Sequence, residues 1–347
     1  MQTRHEAVHG DARDLSTLTD ESVQLIVTSP PYPMIAMWDE AFTAMDPEVG
    51  LALDRAEGVR AFEAMHRQLD RCWAELHRVL VPGGLACINI GDATRSLDKQ
   101  FALWPNHARI LQAALALGFT VLPDILWRKP NNSPTKFMGS GMLPAGAYVT
   151  YEHEYVLILR KGAKRAFDAD GKRHRRASAL FWEERNAWYC DLWDLTGTRQ
   201  SMPGVEARKR SAAFPFELAF RLIQMHSVYG DRVLDPFAGT GTTALAAAVA
   251  GRGSVMVERE ESLLPEMAQT LALAPSIPRI EARLQRHLAF VAERVCKHGN
   301  PRFGPVVTRQ EQELRLWRCA SVTRGEARYV ELEGCSASAA SASVSST

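Results

Sequence analysis

Short apolar runs alternate with amphipathic stretches along the first 127 residues. The runs Val23–Val27, Leu85–Ile90 and Leu122–Trp127 predict buried strands, whereas Phe62–Leu80 and Asn106–Leu117 carry apolar residues at helical spacing. Glycine and proline end these elements, as in the VPGG that follows the first helix. Strands separated by helices of this length indicate a parallel α/β sheet.

The alternation returns in the second half of the chain, after a Gly/Pro/Ser-rich loop. The predicted elements there are strands at Tyr155–Leu159, Arg232–Phe237 and Ser254–Val257, and helices at Phe216–Met225, Ser262–Leu273 and Pro278–Val295. The tail from Ser336 is a low-complexity run of Ser, Ala and Val, so we expect it to be disordered.

Composition is that of an ordinary globular protein, with 46% apolar and 23% charged residues among 347. No apolar run approaches the roughly 20 residues of a membrane helix, and the first residues lack the apolar core of a signal peptide. We therefore expect a cytoplasmic protein of a bacterium or archaeon, without a membrane partner. The six cysteines show no CxxC spacing, which indicates neither a metal site nor a disulfide framework.

The net charge of +1 hides an uneven distribution. Residues 128–210 hold 16 Lys or Arg against 9 Asp or Glu, so this segment carries +7 and the rest of the chain −6. A basic segment in a nearly neutral protein suggests a polyanionic partner, although a solvated surface insert would look the same.

A glycine-rich turn, DPFAGTGTTA, links a predicted strand to a small-residue helix at Asp235–Ala244. Such a turn suits a nucleotide, because glycines admit a ligand to the backbone and the helix start offers free N–H groups. It also matches the dinucleotide pattern G-x-G-x-x-A, with Glu258 placed 19 residues after Gly239 for a ribose. An NAD-dependent oxidoreductase is therefore an alternative, but the strand of that fold should run almost directly into the first glycine.

A second motif, TSPPY, follows the first predicted strand at Thr28–Tyr32. Two prolines fix the backbone and remove two N–H donors, which makes a rigid corner between a hydroxyl and an aromatic ring. The pair of motifs resembles the amino-group DNA methyltransferases, which use S-adenosylmethionine. TSPPY is similar to their catalytic motif and DPFAGTGTT to their cofactor motif.

The resemblance assigns a chemical role to Ser29, Pro30, Pro31 and Tyr32. An exocyclic amino nitrogen is a poor nucleophile, since its lone pair is conjugated into the ring. The Ser29 hydroxyl and the Pro30 carbonyl would accept its two hydrogens and free that lone pair, while the prolines hold the geometry. Tyr32 would stack on a base flipped out of double-stranded DNA.

Serine at position 29 resembles the subgroup that methylates N4 of cytosine, and adenine N6 is the alternative target. Methylation of the pyrimidine ring is disfavoured, because it requires a nucleophilic cysteine, usually after proline, and no cysteine here follows a proline.

The catalytic motif precedes the cofactor motif, and this order resembles the β class of the family. The implied fold is a Rossmann-like methyltransferase sheet, mostly parallel with an antiparallel edge strand and an inserted target-recognition segment. The implied segments are a catalytic half (1–160), the recognition segment (161–210), a cofactor-binding half (211–275), a helical extension of unassigned role (276–335) and a disordered tail (336–347). The implied cofactor-binding residues are Asp11, Phe214, Asp235, Phe237, Gly239, Thr240, Gly241, Thr242 and Glu258.

DNA contacts are expected from the basic segment and from the strand before it. The residues singled out are Lys129, Arg173, Arg175 and Arg176. The extended stretch TSPPYPMIAMWD resembles methyltransferases of restriction–modification systems that act at CCCGGG. A cognate restriction endonuclease would then be a functional rather than a physical partner, and residues 276–347 leave a dimer contact open.

Overall fold

The computed structural model describes residues 1–129, 145–146, 149, 151–196, 214–299, 303 and 306–332. Within these ranges the chain forms a ten-stranded sheet with helices on both faces, and a separate two-stranded hairpin. No helix in the described part is long and apolar enough to cross a membrane.

Five parallel strands form the centre of the sheet, and antiparallel strands flank them. The strands are β1 (Gln2–His9), β2 (Val23–Thr28), β3 (Leu80–Ile90), β4 (Ala93–Leu97), β5 (Gln100–Trp104), β6 (Phe119–Arg128), β7 (His153–Lys161), β8 (Leu192–Asp194), β9 (Arg232–Asp235), β10 (Gly253–Glu258), β11 (Trp317–Thr323) and β12 (Glu326–Glu331). The sheet order is β11-β12-β1-β10-β9-β2-β3-β7-β6-β8, and β4 pairs with β5 in the hairpin.

Helices cover both faces of the sheet. They are α1 (Asp39–Met45), α2 (Pro47–Asp54), α3 (Gly58–Val79), α4 (Asn106–Ala116), α5 (Ala169–Ala177), α6 (Trp182–Trp188), α7 (Phe216–His226), α8 (Thr242–Ala250), α9 (Leu264–Ala272) and α10 (Arg279–His298). Successive residues of β2 pack into the apolar cores on opposite faces of the sheet. Leu25 and Val27 pack with α7 and α8, and Ile26 packs with α3. This is the period of two expected of a strand buried on both faces.

The two halves of the sheet meet between β9 and β2. Helix α8, which follows β9, packs in one core, whereas α3, which follows β2, packs in the other. Crossovers that leave on opposite faces open a crevice at the carboxyl ends of the two strands, where ligands bind in open α/β sheets. Both sequence motifs begin at this crevice.

The predicted fold class is confirmed, and the structure adds detail to it. The antiparallel strand β7 lies inside the sheet, between β3 and β6, rather than at its edge. The segment 276–335 contains α10, but it then forms the hairpin β11–β12, which continues the sheet beyond β1. The expectation of a purely helical extension is therefore wrong. The predicted tail, 336–347, lies outside the described residues.

Candidate active site

One buried carboxylate joins the two motifs. Asp235, at the end of β9, accepts hydrogen bonds of 2.6 Å from the hydroxyls of Thr28 and Thr243 and one of 3.1 Å from the backbone N–H of Phe237. Burial raises the pKa of Asp235 to about 6. Since Thr28 immediately precedes Ser29, this carboxylate fixes the start of the catalytic loop relative to the glycine turn.

Asp235 was predicted to bind the cofactor; its carboxylate accepts these three hydrogen bonds from the chain itself, and a contact with the cofactor stays a prediction. Its observed role is to connect two parts of the chain 207 residues apart. Phe237 is half-buried beside the core on the α3 side.

The two glycines of the turn differ in surroundings. Both have positive φ, 53° at Gly239 and 87° at Gly241, a region that favours glycine. A Cβ at Gly241 would lie 2.5 Å from Cγ of Met267, whereas a Cβ at Gly239 would meet nothing within 4 Å. Gly241 is therefore required for packing against α9, and Gly239 borders open space. Thr242 begins α8, with Thr240 in the turn before it.

Carboxylates also lie at the ends of β10 and β1, the next two strands after β9 in the sheet. Glu258, which ends β10, accepts 2.8 and 2.9 Å hydrogen bonds from the N–H groups of Gly239 and Glu260. Asp11 lies just beyond β1 and accepts hydrogen bonds from the Arg13 guanidinium. These hydrogen bonds lower the pKa of the Asp11 carboxyl. The structure thus brings the predicted residues Asp11, Glu258 and Gly239 to one edge of the sheet.

The catalytic motif contacts a polar network from two further strands. The Ser29 hydroxyl lies 3.2 Å from the Tyr32 hydroxyl, which donates to Glu154 Oε2 at 2.8 Å. Asn89 Nδ2 lies 2.7 Å from both the Tyr32 hydroxyl and Glu154 Oε2, and Lys129 donates to Glu154 Oε1. Burial, followed by the charge of Glu154, holds the pKa of Tyr32 well above its usual range. Asn89 and Glu154 were not identified from the sequence.

Asn106 supports the catalytic loop from behind. Its Nδ2 donates to the carbonyls of Pro33 and Gly91, at 3.1 and 3.0 Å, and its Oδ1 lies 3.0 Å from His66 Nε2. A Cβ at Gly91 would lie 3.0 Å from the Tyr32 ring, so glycine is needed there for the ring to occupy its place. In the described part of the chain, no group donates a hydrogen bond to the Pro30 carbonyl. Pro30 is buried, and the role of its carbonyl as an acceptor for a substrate stays a prediction.

The remaining predicted residues divide between the site and the core. Lys129 reaches the site through Glu154 and lies 4.1 Å from the centre of the Trp127 ring. Trp127 itself is buried and donates from Nε1 to the Leu195 carbonyl at 2.9 Å, so it is a packing residue. Phe214 is buried in the core with α7, and its cofactor contact stays a prediction.

The three predicted DNA-binding arginines of α5 do not join this site. Asn89 pairs with Val156, and β7 then runs away from the site for five further residues to Lys161, roughly 17 Å at strand spacing. Helix α5 follows it at the opposite edge of the sheet. Arg173 pairs there with Asp170 and Arg176 with Glu313. Arg173, Arg175 and Arg176 therefore lie apart from Tyr32, and their contact with DNA stays a prediction.

The described part of the recognition segment, 161–196, is built into the main fold. Phe181, Trp188 and Trp193 are buried in the core with α7. The buried pair of Arg283 and Glu184, with contacts of 2.7 Å, ties α6 to α10. Residues 197–210, which complete the predicted segment, lie outside the described residues.

The sheet, the glycine turn and the Ser-Pro-Pro-Tyr loop across the crevice from it define an S-adenosylmethionine-dependent DNA methyltransferase. The chain belongs to the DNA methylase family, whose model matches residues 23–269. This membership replaces the oxidoreductase alternative.

Relatives extend over most of the chain. The Type II methyltransferase M.MthZI of Methanothermobacter thermautotrophicus is 47% identical over 325 residues, 91% of each chain. M.MjaI of Methanocaldococcus jannaschii is 45% identical and covers 79% of this chain and 93% of its own. Among solved structures, TTHA0409 of Thermus thermophilus in complex with S-adenosyl-L-methionine has a TM-score of 0.58 at 34% identity, over 77% of this chain and 93% of that one. The cytosine-N4-specific PvuII DNA methyltransferase shares the fold, with a TM-score of 0.54 at 19% identity.

The edge formed by β9, β10 and β1 fits S-adenosylmethionine. The open space above Gly239 admits a ligand to the backbone, and the half-exposed Glu258 carboxylate can accept ribose hydroxyls. The Asp11 carboxylate accepts from the backbone N–H and the guanidinium of Arg13, and its contact with the cofactor stays a prediction. The bound cofactor supplies an electrophilic methyl group.

Proposed function

We propose that this methyltransferase modifies the exocyclic N4 amino group of a cytosine flipped out of double-stranded DNA. The observation that carries amino-group methylation is the pair of acceptors in the catalytic loop, and serine at position 29 is what favours cytosine over adenine. In the described part of the chain the Pro30 carbonyl has no donor, and the Ser29 hydroxyl has Tyr32 as its neighbour. Two acceptors fixed by prolines can bind the two hydrogens of one amino group.

Tyr32 is held for contact with the flipped base. Its hydroxyl is fixed by Asn89 and Glu154, and Gly91 leaves room behind the ring. A ring with a fixed plane can stack on a base without a further loss of side-chain entropy. Among the predicted DNA contacts, Lys129 is half-exposed and reaches this site through its salt bridge with Glu154.

The biological role proposed here is protection of host DNA in a restriction–modification system. Type II methyltransferases among the relatives support it. A cognate endonuclease would act on the same sequence without binding this chain. The site CCCGGG and the β-class assignment stay predictions.

The test is the chemical identity of the methylated base. DNA from cells that express the chain, and from cells that express Ser29→Ala, is digested to nucleosides and analysed by mass spectrometry. We expect N4-methylcytosine with the parent chain and a much lower level with the variant. N6-methyladenine would refute the choice of base, whereas 5-methylcytosine would refute the role of the catalytic loop.

A further inference from the structure

The hydrogen bonds around Tyr32 have a defined direction. The Asn89 amide presents its nitrogen to Glu154, because an amide oxygen in that position would face a carboxylate oxygen 2.7 Å away. The same nitrogen donates to the Tyr32 oxygen, so the Tyr32 proton is directed to Glu154. The Ser29 proton can then point to the Tyr32 oxygen, which leaves the serine lone pairs turned toward a substrate.

We propose that Ser29, Tyr32 and Glu154 form a proton relay, which carries the proton released by the methylated amino group to the Glu154 carboxylate. The proposal rests on amino-group methylation but not on the choice of base, since adenine and cytosine amino groups release a proton alike. Glu154 acts through the two hydroxyls and does not itself touch the base.

The step balances in atoms and charge. When the nitrogen–methyl bond forms, the carbon–sulfur bond of the cofactor breaks and the nitrogen becomes positive. The nitrogen then loses a proton to Ser29 Oγ while the serine proton passes to the Tyr32 oxygen. The tyrosine proton passes to Glu154 Oε2, which ends as a neutral carboxylic acid and later returns the proton to water.

Glu154 is held in place at the end of the relay. Its carboxylate is 15% exposed and forms a salt bridge with Lys129. Tyr151 lies close enough to Tyr32 to affect its ionisation, and the Tyr151 hydroxyl bonds the N–H of Asp92. The Asp92 side chain itself is turned to His107, at 2.8 Å. Among the described residues, Glu154 is thus the carboxylate in contact with the Tyr32 hydroxyl.

The first test compares single-turnover methylation by Tyr32→Phe, Glu154→Gln and the double variant. Tyr32→Phe keeps the aromatic face and removes only the relay hydroxyl. Each single variant should be slower by about 10²-fold, as expected for loss of a proton-transfer group. The double variant should be no slower than the slower single variant, because both changes interrupt one relay. A rate loss in the double variant equal to the product of the two single losses would overturn the proposal.

The matched control is Asp194→Asn, the same chemical change at an exposed ion pair with Arg128. Its rate should equal that of the parent. S-adenosylmethionine affinity, measured by calorimetry, should be the same for all variants, which shows that the cofactor side of the site is intact.

The second test is the pH dependence of the single-turnover rate. The parent rate should fall at acidic pH, Glu154→Asp should retain this fall, and Glu154→Gln should be slow and lack it. A purely structural glutamate would leave the acid limb in place in Glu154→Gln, and that result overturns the relay. If the product were N6-methyladenine, the proposed function would be refuted, but the comparison of pH profiles among the Glu154 variants would still test the relay.

Discussion

The carboxylate that joins the two motifs should make folding stability depend on pH. Asp235 is 2% exposed, and burial raises its pKa from 3.8 to about 6. The folded state therefore binds this proton more tightly than the unfolded chain, and stability falls as pH rises between these two values. The rise corresponds to about 3 kcal/mol of unfolding free energy, fully lost above about pH 6.

Asp235→Asn removes the titrating group and keeps an amide of similar shape. The measurement is the free energy of unfolding by urea, for parent and variant, at intervals from pH 4 to pH 8. The difference, variant minus parent, should change by about 3 kcal/mol in favour of the variant as pH rises through this window. Other titrating groups cancel because they are common to both proteins. A difference that stays constant with pH would refute the claim that Asp235 ionises at a cost inside the fold.

Further measurements address single parts of the site. Ser29→Ala should lower the single-turnover rate by about 10²-fold with unchanged cofactor affinity by calorimetry, and full activity would contradict its acceptor role. Gly239→Val should weaken S-adenosylmethionine binding more than tenfold and cost about 1–2 kcal/mol of stability through its left-handed backbone; unchanged affinity would show that the cofactor binds elsewhere. Arg283→Ala should cost about 3–5 kcal/mol in urea unfolding because it strands a buried carboxylate, and a loss below 1 kcal/mol would argue against that pair. Reversing the charges of Arg173, Arg175 and Arg176 should weaken DNA binding and flatten its salt dependence, and an unchanged dependence would show that DNA does not contact that edge.

The sequence pattern predicted the elements that bury apolar side chains. It missed the elements that bury polar side chains. In β1 the inward residues Thr3 and His5 are polar, and they are satisfied by bonds of 2.9 Å to Tyr329 and 2.8 Å to Ser254. An apolar alternation is therefore absent from that strand. The hairpin β4–β5 turns at Asp98 and Lys99, both with positive φ, without the Asn-Gly signal of such turns.

The hairpin β11–β12 could have been found from the sequence. Its turn at Arg324 and Gly325 carries a glycine, and Ala327 and Tyr329 alternate with polar residues in the strand that follows.

The site was predictable only where its residues are adjacent in the chain. TSPPY and the glycine turn were recognisable as motifs, and the structure places them on either side of one crevice. Asn89 and Glu154 come from strands 57 and 122 residues beyond Tyr32, so their approach to it depends on strand order. The arginines of α5 show the converse: their charge was evident, but the direction of β7 sets the edge on which they lie.

The pairing of β12 with β1 has a consequence for how the chain can be rearranged. Gln2 lies opposite Arg328, so strands from near the two ends of the described chain are neighbours in the sheet. A circularly permuted protein, with these ends joined by a linker and the chain opened between Thr196 and Phe214, would begin with α7, β9 and the glycine turn and would finish with β8. It would present the two motifs in the reverse linear order, yet the contact of Thr28 with Asp235 would be unchanged. The order of the two motifs thus depends on where the chain termini lie in the fold. The contacts between the motifs in the active site do not depend on it.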